Sequence, residues 1–322
     1  MWSFAANSAA WISLRYVESQ LGRRQASKMC ISIEPLTANF AARVQDIDLT
    51  PHVSNADIAA IHDGMARFAV LAFSNQAVTD EQQLAFTKNF GAIENARGGH
   101  IRQDGEERLA SGMIDVSNLD QHGRPYHFDD RRRIFNLGNR LWHSDSSYRA
   151  VPASYSLLSG RIVTTRGGET EFADMRAAYD ALDDEMKDCV ENLICEHSLL
   201  YSRGSMGFSE FTEEERAMFR PVHQRLVRTH PVTGRKSLFL SSHIGAIVGW
   251  RIPEARDLIR DLIEHATQRQ FVYSHTWKQY DLVIWDNART MHRVRRFDER
   301  EPRDMRRTTV AGTSMTAEQT TG

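Results

Sequence analysis

Apolar and polar residues alternate in several short stretches of the chain, with the two-residue period that is typical of strands buried on one face. In the first third of the chain this alternation predicts strands at 31–33 and within 40–49, and a continuous apolar run predicts a buried strand at 68–73. Between them the period lengthens to that of a helix that begins at Asn55. The apolar face of this predicted helix carries Ile58, Ile61 and Met65.

Turn and capping signals place the next elements. Thr79 is followed three residues later by Gln82, a capping-box pattern that predicts the start of a second helix. The stretch 92–140 is rich in Gly, Asn and Asp, and so it predicts a long loop of the kind that often covers an active site. Its basic run, 131–133, fits either a functional part of that loop or a solvated face.

Short strands interrupted by helices dominate the chain beyond Leu141. A second capping box at Thr212 and Glu215 predicts a helix start, and Thr233-Gly234 predicts a hairpin turn. This mixture predicts a mostly β fold with helices, a double-stranded β-helix (a cupin-like jelly roll) with helical insertions. The predicted strands are 155–158, 169–173, 238–240, 271–273 and 282–285, and the predicted helices are 175–194, 213–219 and 254–268.

Three parts of the chain are expected to differ in organisation. Residues 1–30 show little sustained period, and we expect them to be disordered or to precede a natural start at Met29. A transit peptide is the alternative, because Arg and Ser occur there with few acidic residues. Residues 31–315 are expected to form a single catalytic jelly-roll domain, with 92–140 as an active-site loop region and 316–322 as a C-terminal tail.

Composition excludes several functional classes. With 41% hydrophobic residues, 25% charged residues and a formal net charge of −2, the chain is typical of globular proteins and not of disordered ones. It has no basic excess for nucleic acid and no apolar run near the roughly 20 residues of a membrane helix, so neither partner is expected. Three cysteines without metal-site spacing suit a reducing cytoplasm, where we expect the protein.

The segment around His143 is the most informative part of the sequence. If His143 and Asp145 lie on one strand, their side chains point to the same face, with Cα atoms roughly 6.6 Å apart. An imidazole nitrogen and a carboxylate oxygen could then bind one cation. The pattern is short and also occurs in surface hydrogen-bonded pairs, so it needs a third partner.

His292 supplies that partner, in a predicted strand that follows the strand and turn at 281–287. Two histidines and one carboxylate on a jelly roll can occupy one face of an octahedral metal, which is the facial triad of non-haem Fe(II) oxygenases. Three protein ligands leave three adjacent positions, enough for a bidentate 2-oxo acid and O₂. Hydrolytic zinc also uses His and Asp ligands, so the triad alone leaves the metal open.

Arginines after His292 help to decide between an iron oxygenase and a zinc hydrolase. Arg303 and Arg307 differ by four positions and would share one face of a strand, while Arg306 would point to the other. A guanidinium can hold the distal carboxylate of a 2-oxo acid through a bidentate pair, and a second one can hold an anionic substrate. The alternative is an edge strand protected by charge.

Several separate motifs resemble one known family. They are Trp142-His143-Ser144-Asp145, Gly167-Gly168-Glu169-Thr170, Trp285-Asp286-Asn287 with His292, and the arginine-rich closing strand. In this order they resemble the taurine/2,4-dichlorophenoxyacetate dioxygenase family over about 31–313. The resemblance implies an enzyme that depends on ferrous iron, Fe(II), on 2-oxoglutarate as co-substrate and on O₂.

The same resemblance implies roles for individual residues. His143, Asp145 and His292 would be both the iron ligands and the catalytic residues, Thr170 and Arg303 would bind 2-oxoglutarate, and Arg307 would bind the acidic head of the substrate. His100 and Asn139, with Arg140 beside it, are candidate substrate contacts in the loop region, although each could equally be a loop hydrogen-bonding residue.

The motifs at 228–230, 242–243 and 265–273 are closer to the 2,4-dichlorophenoxyacetate branch. This implies a small anionic aromatic substrate, an aryloxyalkanoate such as a phenoxyacetate, whose hydroxylation leads to ether cleavage into a phenol and an oxo acid, with succinate and CO₂. A sulfonate or alkylsulfate dioxygenase with the same iron centre is the alternative, and a cupin-like binding protein without turnover is a third hypothesis. Members of the family are often dimers or larger, so a homo-oligomer is expected.

Overall fold

The computed structural model describes residues 31–50, 52–94, 108–231 and 233–317. The predicted extension 1–30, most of the predicted tail 316–322 and the candidate His100 lie outside the described residues. The strands are β1 Ser32–Pro35, β2 Ala41–Gln45, β3 Val70–Phe73, β4 Ile114–Asp115, β5 Tyr155–Ile162, β6 Thr170–Asp174, β7 Ile194–His197, β8 Val222–Arg225, β9 Val227–Thr229, β10 Lys236–Leu238, β11 Ile244–Ile247, β12 Val272–His275, β13 Leu282–Asp286, β14 Thr290–Val294 and β15 Asp304–Thr309. The helices are α1 Asn55–Phe68, α2 Asp80–Thr87, α3 Arg131–Asn136, α4 Met175–Asp180, α5 Asp184–Val190, α6 Leu199–Gly204, α7 Glu213–Met218 and α8 Ile252–Ala266.

Two sheets form the core of the fold. The larger has the strand order β1-β2-β3-β13-β5-β15-β4, and the smaller has the order β12-β6-β14. Their facing surfaces meet in one apolar cluster, in which the Phe172 ring of β6 lies 5.4 Å from the Trp285 ring of β13. Two sheets packed face to face, with antiparallel neighbours in all but one pair of the larger sheet, form the predicted jelly roll, which is confirmed.

Alternate residues of β3 belong to two different apolar clusters, one on each face of the strand. Val70 and Ala72 point toward the smaller sheet, whereas Leu71 and Phe73 point to the other side. On that side they pack against α1 through Ile61, Met65 and Phe68. Residues 70–73 are therefore buried because both faces of β3 are covered, and the predicted strand 68–73 begins only at Val70 because Phe68 is the last residue of α1.

The predicted elements are largely confirmed, with differences at their ends. Both capping boxes are present, and β9 and β10 form the hairpin whose loop contains Thr233 and Gly234. The predicted helix 175–194 is instead two helices, because the Asp183 side chain accepts a hydrogen bond from the Met186 amide and starts α5 as a new helix. The predicted strand 238–240 ends at Leu238.

The region 92–140 differs more from its prediction. Its described part contains the short strand β4 and the helix α3, so it is not a continuous loop. Asp130 caps α3 by accepting from the Arg132 amide, and the basic run 131–133 forms the first turn of this helix. The Asp130 cap therefore allows a helix to form in a stretch whose Gly, Asn and Asp content is typical of loops. Within the described ranges, the helices lack the length and apolarity needed to cross a bilayer.

Buried arginines connect the helices to the sheets. Arg176, which is 3% exposed, makes a bidentate ion pair with Asp174 at 2.9 Å and also donates to the backbone carbonyls of Arg67 and Asn39. It thereby ties the start of α4 to the end of α1 and to the loop before β2.

We expect Arg176→Met to lower the free energy of unfolding by about 3 kcal/mol, because the buried Asp174 carboxylate would lose its cation. Urea denaturation measures this loss. Arg260→Met is the matched control, since Arg260 pairs with Asp257 on an exposed face of α8 and such pairs contribute little. Equal stability of the two variants would contradict the prediction.

Candidate metal centre and active site

Two histidines far apart in sequence are joined directly through their backbones. The His143 amide donates to the His292 carbonyl at 3.0 Å, and the His292 amide donates to the His143 carbonyl at 2.8 Å. This antiparallel bridge holds His143 against β14, which belongs to the smaller sheet. Side chains of directly opposed residues lie on the same face, and the two imidazole centroids are 4.2 Å apart.

Asp145 completes the group from a turn and not from a strand, so the prediction of one strand through His143 and Asp145 is wrong. His143 makes only a single bridge, and Ser146 adopts a left-handed backbone conformation that ends the extended chain. The convergence of the side chains still holds. An Asp145 carboxylate oxygen lies 3.9 Å from Nε2 of His143, and the other lies 3.7 Å from Nε2 of His292.

The protonation states suit metal binding. Burial lowers the pKa of both imidazoles, and it does so strongly for His292, so both rings are neutral. Nδ1 of His143 lies 2.8 Å from the Leu141 carbonyl oxygen and must donate to it, which leaves the Nε2 lone pair facing Asp145. Burial alone would raise the pKa of Asp145, but the positive charge of Arg307 and the hydrogen bond from Ser156 lower this pKa below its ordinary value.

These three side chains fit a divalent metal ion. They are the one cluster of histidine, cysteine and acidic side chains of suitable spacing in the described ranges, and their donor atoms all lie within 4.8 Å of one another. A carboxylate and two imidazole nitrogens suit iron and its neighbours in the first transition row. Phe172 and Trp285 pack against the His292 ring, with centroids 6.0 and 4.7 Å away, and hold its orientation.

A cavity lies beside the three side chains, and its lining shows where the predicted arginines are. Arg303 and Arg307 both line it, although Arg303 precedes β15 and the strand has a register shift after Asp304. Arg306 points away and pairs with Asp80 at 2.9 Å. The shared face predicted for Arg303 and Arg307 is therefore confirmed.

Arg303 is a buried cation without a carboxylate partner among the described residues. The residue is 4% exposed, and its guanidinium donates to the Gly168 carbonyl at 3.3 Å and lies over the Phe297 ring. Burial lowers the pKa of Arg303 to about 10, so it stays charged at neutral pH. Thr170 lines the same cavity, and its hydroxyl accepts from the Trp277 indole at 2.9 Å, which leaves its own proton for another acceptor.

The Gly167-Gly168 pair explains part of the motif before Thr170. Both residues have positive φ angles, +74° and +77°, which side chains rarely adopt. A Cβ on Gly167 would lie 2.2 Å from the Arg296 carbonyl oxygen, and one on Gly168 would lie 2.9 Å from the Thr164 hydroxyl oxygen. Glycine therefore allows this tight turn, whose Gly168 carbonyl accepts a hydrogen bond from Arg303.

The mouth of the cavity contains residues from the end of α3 and the turn that follows it. Asn139 and Arg140 both line the cavity, and a contact of either with the substrate stays a prediction. Arg140 and Arg133 each bind Glu299, the former at 2.5 Å. Four arginines against this one glutamate give the lining a positive field that attracts anions.

The chain matches the family described as "Taurine catabolism dioxygenase TauD, TfdA family" over residues 32–309. This chain belongs to the TauD/TfdA family. The resemblance predicted from the motifs is confirmed, and the match spans every described strand.

Individual relatives show which members of the TauD/TfdA family this chain is similar to. The chain is 42% identical over 284 residues to an alpha-ketoglutarate-dependent 2,4-dichlorophenoxyacetate dioxygenase of Cupriavidus pinatubonensis, which covers 88% of this chain and 98% of that protein. It is 34% identical to the (S)-phenoxypropionate/alpha-ketoglutarate-dioxygenase of Delftia acidovorans, over 88% and 95% of the two chains. A solved structure of AAD-2 in complex with Mn(II) and N-oxalylglycine is 58% identical, with a TM-score of 0.88, over 89% of this chain and all of that one.

Two residues that support Asp145 through hydrogen bonds were not predicted from the sequence. Ser156 donates to Asp145 at 2.7 Å, and Asn287 donates to Ser156 at 3.0 Å. Asn287 belongs to a motif noted in the sequence, but nothing there distinguished its role. Ser156 lies on a buried strand and gave no signal, because a lone serine in an apolar run has no pattern.

His292→Ala is expected to weaken Mn(II) binding by more than about 100-fold, since it removes a ligand and outer-sphere losses alone reach 10- to 100-fold. Titration of the protein with Mn(II), followed by the electron paramagnetic resonance signal of the free ion, measures the affinity. His223→Ala, at an exposed histidine outside the site, is expected to bind Mn(II) like the parent. Unchanged binding by His292→Ala would rule the site out.

Proposed function

We propose that this chain is an Fe(II)- and 2-oxoglutarate-dependent dioxygenase that hydroxylates a small aryloxyalkanoate, with cleavage of the ether to a phenol and an oxo acid and release of succinate and CO₂. The observation that carries the proposal is the buried Arg303, which lines one cavity together with His143 and His292 and has no carboxylate partner in the part of the chain that the structure describes.

His143, Asp145 and His292 would hold the iron, which supplies oxidation by O₂ when bound together with 2-oxoglutarate. The protein's part is to keep both imidazoles neutral, to keep Asp145 ionised and to leave the other side of the ion open to the cavity. None of the further residues that line the cavity is a histidine, cysteine or aspartate, so the lining offers few competing ligands.

Arg303 and Thr170 would bind the distal carboxylate of 2-oxoglutarate. A guanidinium that is already desolvated gains a charge-assisted bidentate pair at little further cost, and the Thr170 hydroxyl adds a donor. The fixed position of Arg303, between Phe297 and the Gly168 carbonyl, would set the distance from this carboxylate to the metal.

Arg307 and Asn139 would orient the substrate. One Arg307 nitrogen binds Asp145, whereas its Nε is buried without a hydrogen-bond partner in the described part of the chain. Such a group is free to donate to the carboxylate of an aryloxy acid. The apolar lining suits an aromatic ring and comprises Val116, Leu137, Leu158, Trp285, Val294 and Phe297. A contact from His100 stays a prediction.

The proposal extends to organisation and location. We propose a single catalytic domain over 31–315 that assembles as a homo-oligomer, in keeping with the family resemblance. A cytoplasmic location is supported by sparse cysteine usage, with Cys189 and Cys195 free among the described residues.

A substrate panel tests the reaction. With Fe(II), 2-oxoglutarate and O₂, we expect phenoxyacetate or phenoxypropionate derivatives to give phenol and succinate in equal amounts. Alkyl sulfates and sulfonates serve as the comparison set. Succinate release that depends on a sulfonate and not on any aryloxy acid would replace the proposed substrate class, and no succinate with either set would contradict the dioxygenase itself.

Arg303→Met is expected to raise the KM for 2-oxoglutarate roughly 10- to 100-fold, because a hydrogen bond to a charged group contributes about 1.5–3 kcal/mol. Steady-state kinetics at saturating substrate measures this change. Arg306→Met is the matched control, since Arg306 lies on the same segment and points away from the cavity. A similar KM for the two variants would remove Arg303 from the co-substrate site.

A further inference from the structure

A row of buried hydrogen bonds leads from the wall of the cavity to Asp145. The Trp285 indole donates to Oδ1 of Asn287 at 2.9 Å, Nδ2 of Asn287 donates to Ser156 Oγ at 3.0 Å, and Ser156 Oγ lies 2.7 Å from Oδ2 of Asp145. All four side chains are at most 3% exposed, so water does not compete for these bonds. We propose that this row is a directional relay that orients Asp145 for metal binding, with Ser156 and Asn287 as positioning residues.

The direction of the relay follows from the chemistry of its first member. An indole N–H can only donate, so the atom of Asn287 that faces Trp285 must be the amide oxygen. The amide nitrogen then faces Ser156 and occupies the acceptor side of its hydroxyl. The single hydroxyl proton of Ser156 is left to point at Asp145, which as a carboxylate can only accept.

Asp145 needs this support because its own backbone gives little. It lies in a turn, whereas Ser156 lies on β5 between β13 and β15 in the middle of the larger sheet. Asn287 is fixed at both ends of its backbone, since its amide donates to the Ser154 carbonyl at 2.9 Å and its carbonyl accepts from the Ser144 hydroxyl at 2.5 Å. The relay therefore holds the Asp145 side chain, which lies on a turn, against a strand in the larger sheet.

The relay and Arg307 hold opposite oxygens of the same carboxylate. Ser156 binds Oδ2, and Arg307 binds Oδ1. With both oxygens held, the plane of the carboxylate is set before a metal ion arrives, and less conformational freedom is lost on binding. Ser156 and Asn287 act through Asp145 and are not among the residues that line the cavity, so their loss should appear first in metal affinity.

The inference rests on the proposed metal site, and binding of the metal alone tests it. We expect Ser156→Ala to raise the Kd for Mn(II) roughly 10- to 100-fold, the usual loss for a partner of a metal ligand, and to shift the visible absorption of the Co(II) form. Ser159→Ala is the matched control, because Ser159 is buried on the same strand but donates to Gln83. It should keep the parent Kd and spectrum.

Asn287→Asp tests the direction separately. An aspartate at this position can only accept, so the Ser156 proton would turn toward it and away from Asp145. The isosteric change should therefore lower Mn(II) affinity as Ser156→Ala does, and the double variant should lose little more than either single one. Thermal unfolding midpoints show whether each variant is folded.

The outcomes separate the relay from the site. A parent protein that fails to bind Mn(II) would defeat the proposed function together with the relay. A parent that binds Mn(II), with folded Ser156→Ala and Asn287→Asp variants within twofold of its Kd, would overturn the relay alone. Loss in Ser156→Ala with full affinity in Asn287→Asp would overturn its direction, and equal loss in Ser159→Ala would overturn the specific role of Ser156.

Discussion

The two hydrogen bonds between the backbones of His143 and His292 are the constraint on which the site depends. They join a turn after the loop region to a strand of the smaller sheet, and they fix two imidazoles side by side. Asp145 follows two residues after His143, and its carboxylate lies within 4 Å of both imidazoles. The two sheets hold the strands in place, and this bridge brings His292 to the pair His143 and Asp145, so that all three form one donor set.

Charge balance explains the arrangement around that donor set. Asp145 can stay ionised in a buried site because Arg307 compensates it, as the pKa of about 2 reflects. Arg303 has no such compensation among the described residues, although it is buried and lines the same cavity as Arg307. A buried cation without a counter-ion is costly, and a ligand with its own carboxylate removes that cost. The cavity is thus arranged for an acid that also reaches the metal.

The sequence predicted those features that depend on local chemistry or on residue spacing. Thr79 and Thr212 begin helices as their capping boxes indicate, and the even separation of Arg303 and Arg307 anticipated that both face one cavity. The turn at Asp145 was not predictable, because it follows from a single long-range bridge and a left-handed Ser146. Ser156 escaped notice for a related reason, since its importance arises only when β5 is paired beside β13.

A structure of the protein with Mn(II) and N-oxalylglycine tests the account most directly. We predict one metal ion bound by Nε2 of His143, Nε2 of His292 and a carboxylate oxygen of Asp145, with no fourth protein ligand. The free carboxylate of the analogue should lie on Arg303 and Thr170. A metal bound elsewhere, a fourth protein donor on the ion, or an analogue carboxylate away from Arg303 would contradict the account.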